Sequence, residues 1–172
     1  SAHPPLLPSV PLAKRPDNRS PLIKDSFPLF KLGDILVGAW DPIPDDAYPA
    51  AKKAGVLEER DLEPLKEFLS GIRPMTAVFD NHYVTRLHGT NVKTGKNKRD
   101  LAEQLRQDIR DFKKNNQCDR LVAVWCGSTE IFIRPSAVHQ TISSFEKAME
   151  ENHEDIAPSM LSAWACIMER RP

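Results

Sequence analysis

Apolar residues along this chain fall into short continuous runs, separated by longer stretches with helical spacing. The run ILVGAW at residues 35–40 lies between Asp34 and Asp41 and has strand length, as expected for a strand covered on both faces in a parallel sheet. The run LVAVW at residues 121–125 has the same character, and a shorter one lies at residues 76–79. We predict a strand at each of these three places.

Helices are predicted between and after these strands, because apolar residues recur there every three or four positions. The clearest amphipathic helix is predicted at about residues 98–115. Asp45 and Asp46 predict a helix entry, and Gly55 the end of that helix. Further helices are predicted from residue 61, over residues 138–149 and from Pro158 onward. This alternation predicts the α/β class, with right-handed crossovers and a parallel, doubly wound sheet.

The first 33 residues differ from the rest of the chain in composition. Their many prolines prevent a persistent helix or a central strand, so we predict an extended lead-in over residues 1–33 and the α/β domain over residues 34–172.

Charge and cysteine content exclude several classes of protein. Lys plus Arg and Asp plus Glu number 24 each and are spread along the chain, so we expect neither a nucleic-acid partner nor a membrane partner. No apolar run approaches the length of a membrane span, which favours a soluble intracellular protein. The three cysteines lack the spacing of a zinc site and are expected to be reduced thiols.

Two places meet the rule that ligands bind at the carboxyl ends of parallel strands. Asp41 ends the first predicted strand and could accept hydrogen bonds from a ribose diol, or it could only begin a turn with Pro42. The turn at residues 126–130 ends another strand and could offer amides and hydroxyls to a ribose or pyrophosphate, or could only cap the strand exit. The lysines at residues 93–98 could hold phosphate, but a solvated surface loop is the more frequent explanation.

Several stretches taken together resemble the inositol-3-phosphate synthase family, also called myo-inositol-1-phosphate synthase. They are GAWDPIPDDAYPAAKKAGVL, RPMTAVFD, HGTNVKTGKNKRDLAEQLRQDIRDFK, VAVWCGSTE and DIAPSMLSAWACIMERRP, which occur in the order that the family has. The resemblance covers residues 34–172 and implies part of a Rossmann-like domain that binds NAD. It also implies a cytoplasmic homotetramer acting in inositol and phospholipid biosynthesis.

Site residues are carried over from the resemblance position by position. Asp41 matches the aspartate of the family's G-W-D segment, which contacts NAD. Ala77 and Val78 match a small and an aliphatic residue near the adenine. Four residues match a family segment that also lines the cofactor: Cys126, Gly127, Ser128 and Thr129. His88 and Asn91 stand where many eukaryotic members have Gln and Arg, so the resemblance assigns them no contact.

The implied reaction converts glucose 6-phosphate to inositol phosphate by NAD-dependent oxidation, enolisation, ring closure and re-reduction. The chain lacks the family's glycine-rich phosphate loop and its catalytic lysines, so it contributes no catalytic residue and is expected to be inactive alone. One competing hypothesis is a non-enzymatic remnant or interaction domain that keeps the α/β fold without the cofactor, and another is a different NAD-linked α/β enzyme with similar residues at these positions.

Overall fold

The structure, a computed structural model, describes residues 27–169 and divides the chain between Val37 and Gly38. Most of the predicted lead-in, residues 1–26, lies outside the described residues. In the first unit, residues 27–37 form no regular element apart from a short 3-10 turn at Leu32–Asp34. Its apolar residues Ile35, Leu36 and Val37 are exposed.

The second unit is mainly helical. Within the described residues its α-helices are α1 (Ala47–Ala54), α2 (Glu59–Leu62), α3 (Lys66–Ser70), α4 (Lys98–Asn115), α5 (Ile142–Glu150) and α6 (Pro158–Met168). Short 3-10 turns lie at Glu63–Leu65 and Ala137–His139. None of the helices over residues 27–169 is long and apolar enough to cross a membrane.

Helix α1 confirms the caps that its sequence predicts. The Asp46 side chain accepts a hydrogen bond from the Tyr48 N–H at 3.0 Å, which satisfies a donor that has no partner within the helix. Gly55 ends the helix in the left-handed conformation, with φ at 65°.

The helix predicted from residue 61 is wrong as one continuous element. The chain forms α2, the 3-10 turn at Glu63–Leu65 and then α3. Pro64 lies in that turn, where its missing N–H cannot continue the α-helical pattern of hydrogen bonds. Phe68 is 69% exposed, so the apolar face predicted for this helix is not buried.

Helix α4 forms with the predicted bounds and carries one side of the core. Asn97 caps its first turn by accepting from the Asp100 N–H at 2.9 Å. Its buried face packs against α5 and α6. The core consists of Ala102, Leu105, Ile109, Ala148, Met149, Ile156, Leu161, Trp164 and Ala165. The helix predicted over residues 138–149 is interrupted, because Thr141 acts as an N-cap and starts α5 separately from the preceding 3-10 turn.

The predicted doubly wound sheet is not confirmed over the described residues. Parallel pairing is limited to two isolated bridges, which join Trp40 to Met75 and Ala77 to Val92. Residues 121–125 are irregular, and the side chains of Val122 and Val124 are 79% and 76% exposed. A strand of this composition needs hydrogen-bonded neighbours and covered faces, and this segment has neither within residues 27–169.

Candidate functional site

Asp41 lies at the carboxyl end of the first parallel pairing. Its N–H donates to the Met75 carbonyl at 3.2 Å, and the Met75 N–H donates to the Ala39 carbonyl at 2.8 Å. Its side-chain Oδ1 accepts from the Ile43 N–H at 2.8 Å, which forms the turn that one interpretation of the sequence predicts. The other carboxylate oxygen makes no hydrogen bond within the described residues and lies on an exposed residue. Asp41 can therefore form the turn with one carboxylate oxygen and bind a ligand with the other.

Asn91 holds the loop of residues 88–91 against this strand end. Its N–H donates to the Pro42 carbonyl at 2.8 Å. Its side-chain Nδ2 donates to the carbonyls of Asp41 at 2.8 Å and Met75 at 3.1 Å. Gly89 approaches so closely that a Cβ there would collide with the Pro42 backbone. The loop is thus fitted to the turn that follows Asp41.

A half-buried polar cluster lies beside these segments. Lys93 Nζ forms an ion pair with Asp108 Oδ2 at 2.8 Å, and the same oxygen accepts from Trp40 Nε1 at 2.7 Å. Lys93 also donates to the Thr76 hydroxyl at 3.3 Å. The Lys93 side chain is only 6% exposed, so its assignment to a solvated surface loop is wrong. A charge of this kind is tolerated inside a protein because it is paired and hydrogen-bonded.

Ala77 and Val78 differ in what they can offer to a ligand. Ala77 is buried, and its backbone is used on both sides: its N–H donates to the Asn91 carbonyl at 3.0 Å and its carbonyl accepts from the Lys93 N–H at 2.8 Å. It can therefore supply only a van der Waals surface. Val78 is half-buried, packs against the core, and has no backbone hydrogen bond within the described residues.

The turn at residues 126–129 stands apart from Asp41 in the hydrogen-bond network. Cys126, Gly127, Ser128 and Thr129 are all exposed, and no hydrogen bond within residues 27–169 joins them to another segment. The capping role that was the alternative for Ser128 and Thr129 is not observed there. The next residue is anchored, because the Glu130 carboxylate accepts from the N–H and hydroxyl of Ser159 at the start of α6.

A second polar cluster fixes the start of α4. Lys98 Nζ donates to the hydroxyl of Tyr83 and to the carbonyls of His153 and Ile156, each at 2.7 Å. Burial lowers the pKa of Lys98, and burial together with nearby carboxylates, chiefly Asp80, raises the pKa of Tyr83 to about 12. Lys98, like Lys93, is therefore a structural residue of this fold and not a solvated phosphate ligand.

The structure thus brings together some of the expected site residues and adds others. Asp41 and Ala77 are joined through Met75 and Asn91, whereas residues 126–129 are not joined to them. Sequence reasoning missed the parts played by Asn91, Lys93 and Asp108. In the sequence, Asn91 and Lys93 appear only as polar residues of a loop that contains glycine, asparagine and lysine. That composition does not reveal which residues their side chains contact.

An exposed carboxylate at the carboxyl end of a parallel pairing, with helices packed beside it, is typical of α/β proteins that bind nucleotides. The comparisons with known proteins are more specific. An NAD-binding family model described as Myo-inositol-1-phosphate synthase matches residues 8–172. The chain belongs to this family, and NAD is confirmed as the cofactor with which the family is associated.

Curated relatives and a solved structure agree with this family. The chain is 48% identical over 157 residues to inositol-3-phosphate synthase 1 of Bacteroides thetaiotaomicron, covering 91% of this chain and 37% of that protein. It is 32% identical over 151 residues to inositol-3-phosphate synthase of Trypanosoma brucei brucei, covering 86% and 29%. The crystal structure of inositol-3-phosphate synthase from Caenorhabditis elegans matches with a TM-score of 0.79 and 26% identity, covering 85% of this chain and 29% of that one.

Two consequences follow from these matches. The solved structure that the chain matches is a Rossmann-type NAD-binding enzyme, whereas the described residues of this chain are mainly helical, so the predicted sheet is not confirmed. The chain spans roughly a third of the length of the curated relatives that it matches.

Proposed function

We propose that this chain provides the adenosine side of the NAD site in an inositol-3-phosphate synthase. The observation that carries the proposal is the exposed Asp41 carboxylate, which has one oxygen in a turn and the other directed to no protein partner within the described residues. A carboxylate in this position can accept hydrogen bonds from the two hydroxyls of a ribose. Ala77 and Val78 form the adjoining apolar surface, to which the half-buried Val78 contributes more accessible area than the buried Ala77.

The turn at residues 126–129 is proposed as the second wall of the same site. Its exposed amides and hydroxyls can donate to cofactor oxygens, and Gly127 allows close approach of the backbone. We propose that residues 35–40 and 121–125 are strands of a doubly wound, mostly parallel sheet in the whole enzyme. Their composition and their exposure in this structure support that proposal.

The proposed reaction of the whole enzyme is the conversion of glucose 6-phosphate to inositol 3-phosphate. Asp41, Ala77, Val78 and the turn at residues 126–129 would hold NAD, which would supply reversible hydride acceptance for the oxidation and the final reduction, with no net redox change. The residues of this chain bind and orient the adenosine end of the cofactor. We assign none of them a catalytic role, since acid-base and enolate-stabilising groups are expected outside this chain.

The wider biological assignment has the same basis. We propose a cytoplasmic homo-oligomer, with the tetramer as the specific form, that acts in inositol and phospholipid biosynthesis with neither a nucleic-acid nor a membrane partner. The balanced charge of the chain supports the last point.

Calorimetric titration of the chain with NAD tests the cofactor site. We expect Asp41→Ala to weaken binding by about tenfold or more, because a charge-assisted hydrogen bond contributes on the order of 1.5–3 kcal/mol. Asp41→Asn should keep the turn, since its amide oxygen can still accept from the Ile43 N–H, and yet lose affinity. The matched control is Asp45→Ala, an exposed aspartate four residues away. Binding that is millimolar or weaker and insensitive to Asp41→Ala would contradict the proposal.

A further inference from the structure

Asn91 makes two kinds of hydrogen bond at the strand end, and only one kind requires an asparagine. Its backbone bonds to Pro42 and Ala77 would survive almost any substitution. Its side-chain bonds to the carbonyls of Asp41 and Met75 need a donor of this length. The choice of residue at position 91 therefore concerns the Asp41 and Met75 carbonyls.

These two carbonyls determine how the Asp41 side chain is presented. The Met75 carbonyl already accepts the Asp41 N–H at 3.2 Å, so the Asn91 amide joins both ends of the Asp41 backbone unit. Asp41 Oδ1 is held separately by the Ile43 N–H. With the backbone and one oxygen fixed, the remaining oxygen has a defined direction. Precise orientation of this kind is what two-point recognition of a diol requires.

From this geometry we infer that Asn91 is a positioning residue, which holds the Asp41 carboxylate in the orientation that receives the adenosine ribose of NAD. The inference rests on the proposed function, since it presumes that Asp41 contacts the cofactor. It goes beyond the resemblance, which assigns Asn91 no contact. Asn91 acts through Asp41, so its contribution should disappear when Asp41 is absent.

A double-mutant cycle on NAD affinity tests this coupling in the 172-residue chain. Asn91→Ala alone should weaken NAD binding about three- to tenfold, the range expected for hydrogen bonds whose loss leaves Asp41 free to reorient. In the Asp41→Ala background, the same substitution should change the affinity by less than about twofold. Equal losses in both backgrounds would overturn the inference, because they would show that Asn91 does not act through Asp41.

The matched control is Asn81→Ala. Asn81 also uses its side-chain amide to hold a loop, donating to the carbonyls of Val84 and Leu87 and lying 3.3 Å from His88 Nδ1, but it makes no hydrogen bond to Asp41 or Asn91. It should lower the thermal midpoint about as much as Asn91→Ala and leave NAD affinity unchanged. If Asn91→Ala unfolds, Asn91→Gln keeps the amide and displaces it by one methylene, and the same cycle applies.

The two proposals fail in distinguishable ways. Unchanged NAD affinity in Asp41→Ala defeats the proposed function and, with it, the inference about Asn91. A loss in Asp41→Ala without any loss in Asn91→Ala defeats the inference alone.

Discussion

At the scale of the residue, Asp108 connects the core to the candidate site. Its Oδ2 forms an ion pair with Lys93 Nζ and accepts a hydrogen bond from Trp40 Nε1. Trp40 directly precedes Asp41. Because Lys93 is nearly buried, removing its partner would leave an ammonium group without compensation. Asp108 thus links the stability of helix α4 to the position of the strand end.

We expect Asp108→Ala to lower the free energy of unfolding by about 2–4 kcal/mol, since it leaves a buried charge and an indole N–H unpaired. Urea titration at neutral pH measures this. Asp111→Ala is the control on the same helix: Asp111 is exposed, its side chain's one hydrogen bond within residues 27–169 is to the Gln107 side chain, and its removal should cost less than about 0.5 kcal/mol. Equal costs for both substitutions would contradict the role given to Asp108.

At the scale of the element, the start of helix α4 depends on a cation placed where helices do not favour one. Lys98 is the first residue of the helix, near the positive end of its dipole. Two of its three side-chain hydrogen bonds hold the loop of residues 153–156, and the third joins Tyr83, which itself donates to the Glu154 carbonyl at 2.7 Å. The cluster therefore ties helix α4 to the entry of α6.

The raised pKa of Tyr83 predicts a loss of stability at high pH. The folded value of about 12 lies above the usual value of 10.0, so this contribution is fully present below pH 10 and is lost as pH rises towards 12. The lowered pKa of Lys98 has the opposite effect on stability, which rises with pH as Lys98 loses its proton. This rise is complete near the usual pKa of 10.5. Between pH 10.5 and 12 the loss of stability is expected to come mainly from Tyr83, because the pKa values of Tyr48 and Lys52 are raised by hydrogen bonds on the exposed surface, where solvent screens them.

Tyr83→Phe should flatten the dependence of the denaturation midpoint on pH in that range, although it lowers stability at neutral pH by removing two hydrogen bonds. The chain has two tyrosines, which makes Tyr48→Phe the matched control. Tyr48 bonds to Glu63 on an exposed surface, so we expect this variant to keep a slope close to that of the parent chain. A Tyr83→Phe chain with the parent slope would refute the assignment.

At the scale of the whole molecule, the main feature is a run of exposed apolar residues between positions 122 and 132, interrupted by the polar turn at residues 126–130. Val122, Val124 and Phe132 are 79%, 76% and 84% exposed, and Trp125 is 58% exposed. An apolar surface with unpaired backbone groups favours association. We therefore expect the 172-residue chain to self-associate at micromolar concentration.

Sedimentation velocity over a range of concentrations tests this expectation. Val124→Lys should shift the distribution towards the monomer, while its free energy of unfolding changes by less than about 0.5 kcal/mol because the side chain is already exposed. Val56→Lys is the control: Val56 is 84% exposed but lies outside the run. If both substitutions act alike, or neither acts, the run does not drive association.

By itself, the sequence determined the elements whose signals are local. Helix α4 has its predicted bounds, and α1 has its predicted caps, because helical period, capping side chains and a C-terminal glycine act within a few residues. Pro64 divides the next helix for an equally local reason, although the apolar spacing there concealed it. Membership of the family was likewise predicted from sequence motifs that occur in the family's order, and the family model confirms it.

Tertiary structure alone decided what the strands and loops became. A strand exists only with a partner, and an apolar run at residues 121–125 cannot show that its partner is absent from residues 27–169. A lysine in a polar loop looks the same in sequence whether it is solvated or buried against Asp108, and Asn91 looks like a loop residue until the Asp41 carbonyl lies 2.8 Å away. Pairing, burial and long-range hydrogen bonds join residues far apart in the chain, so neither period nor composition encodes them.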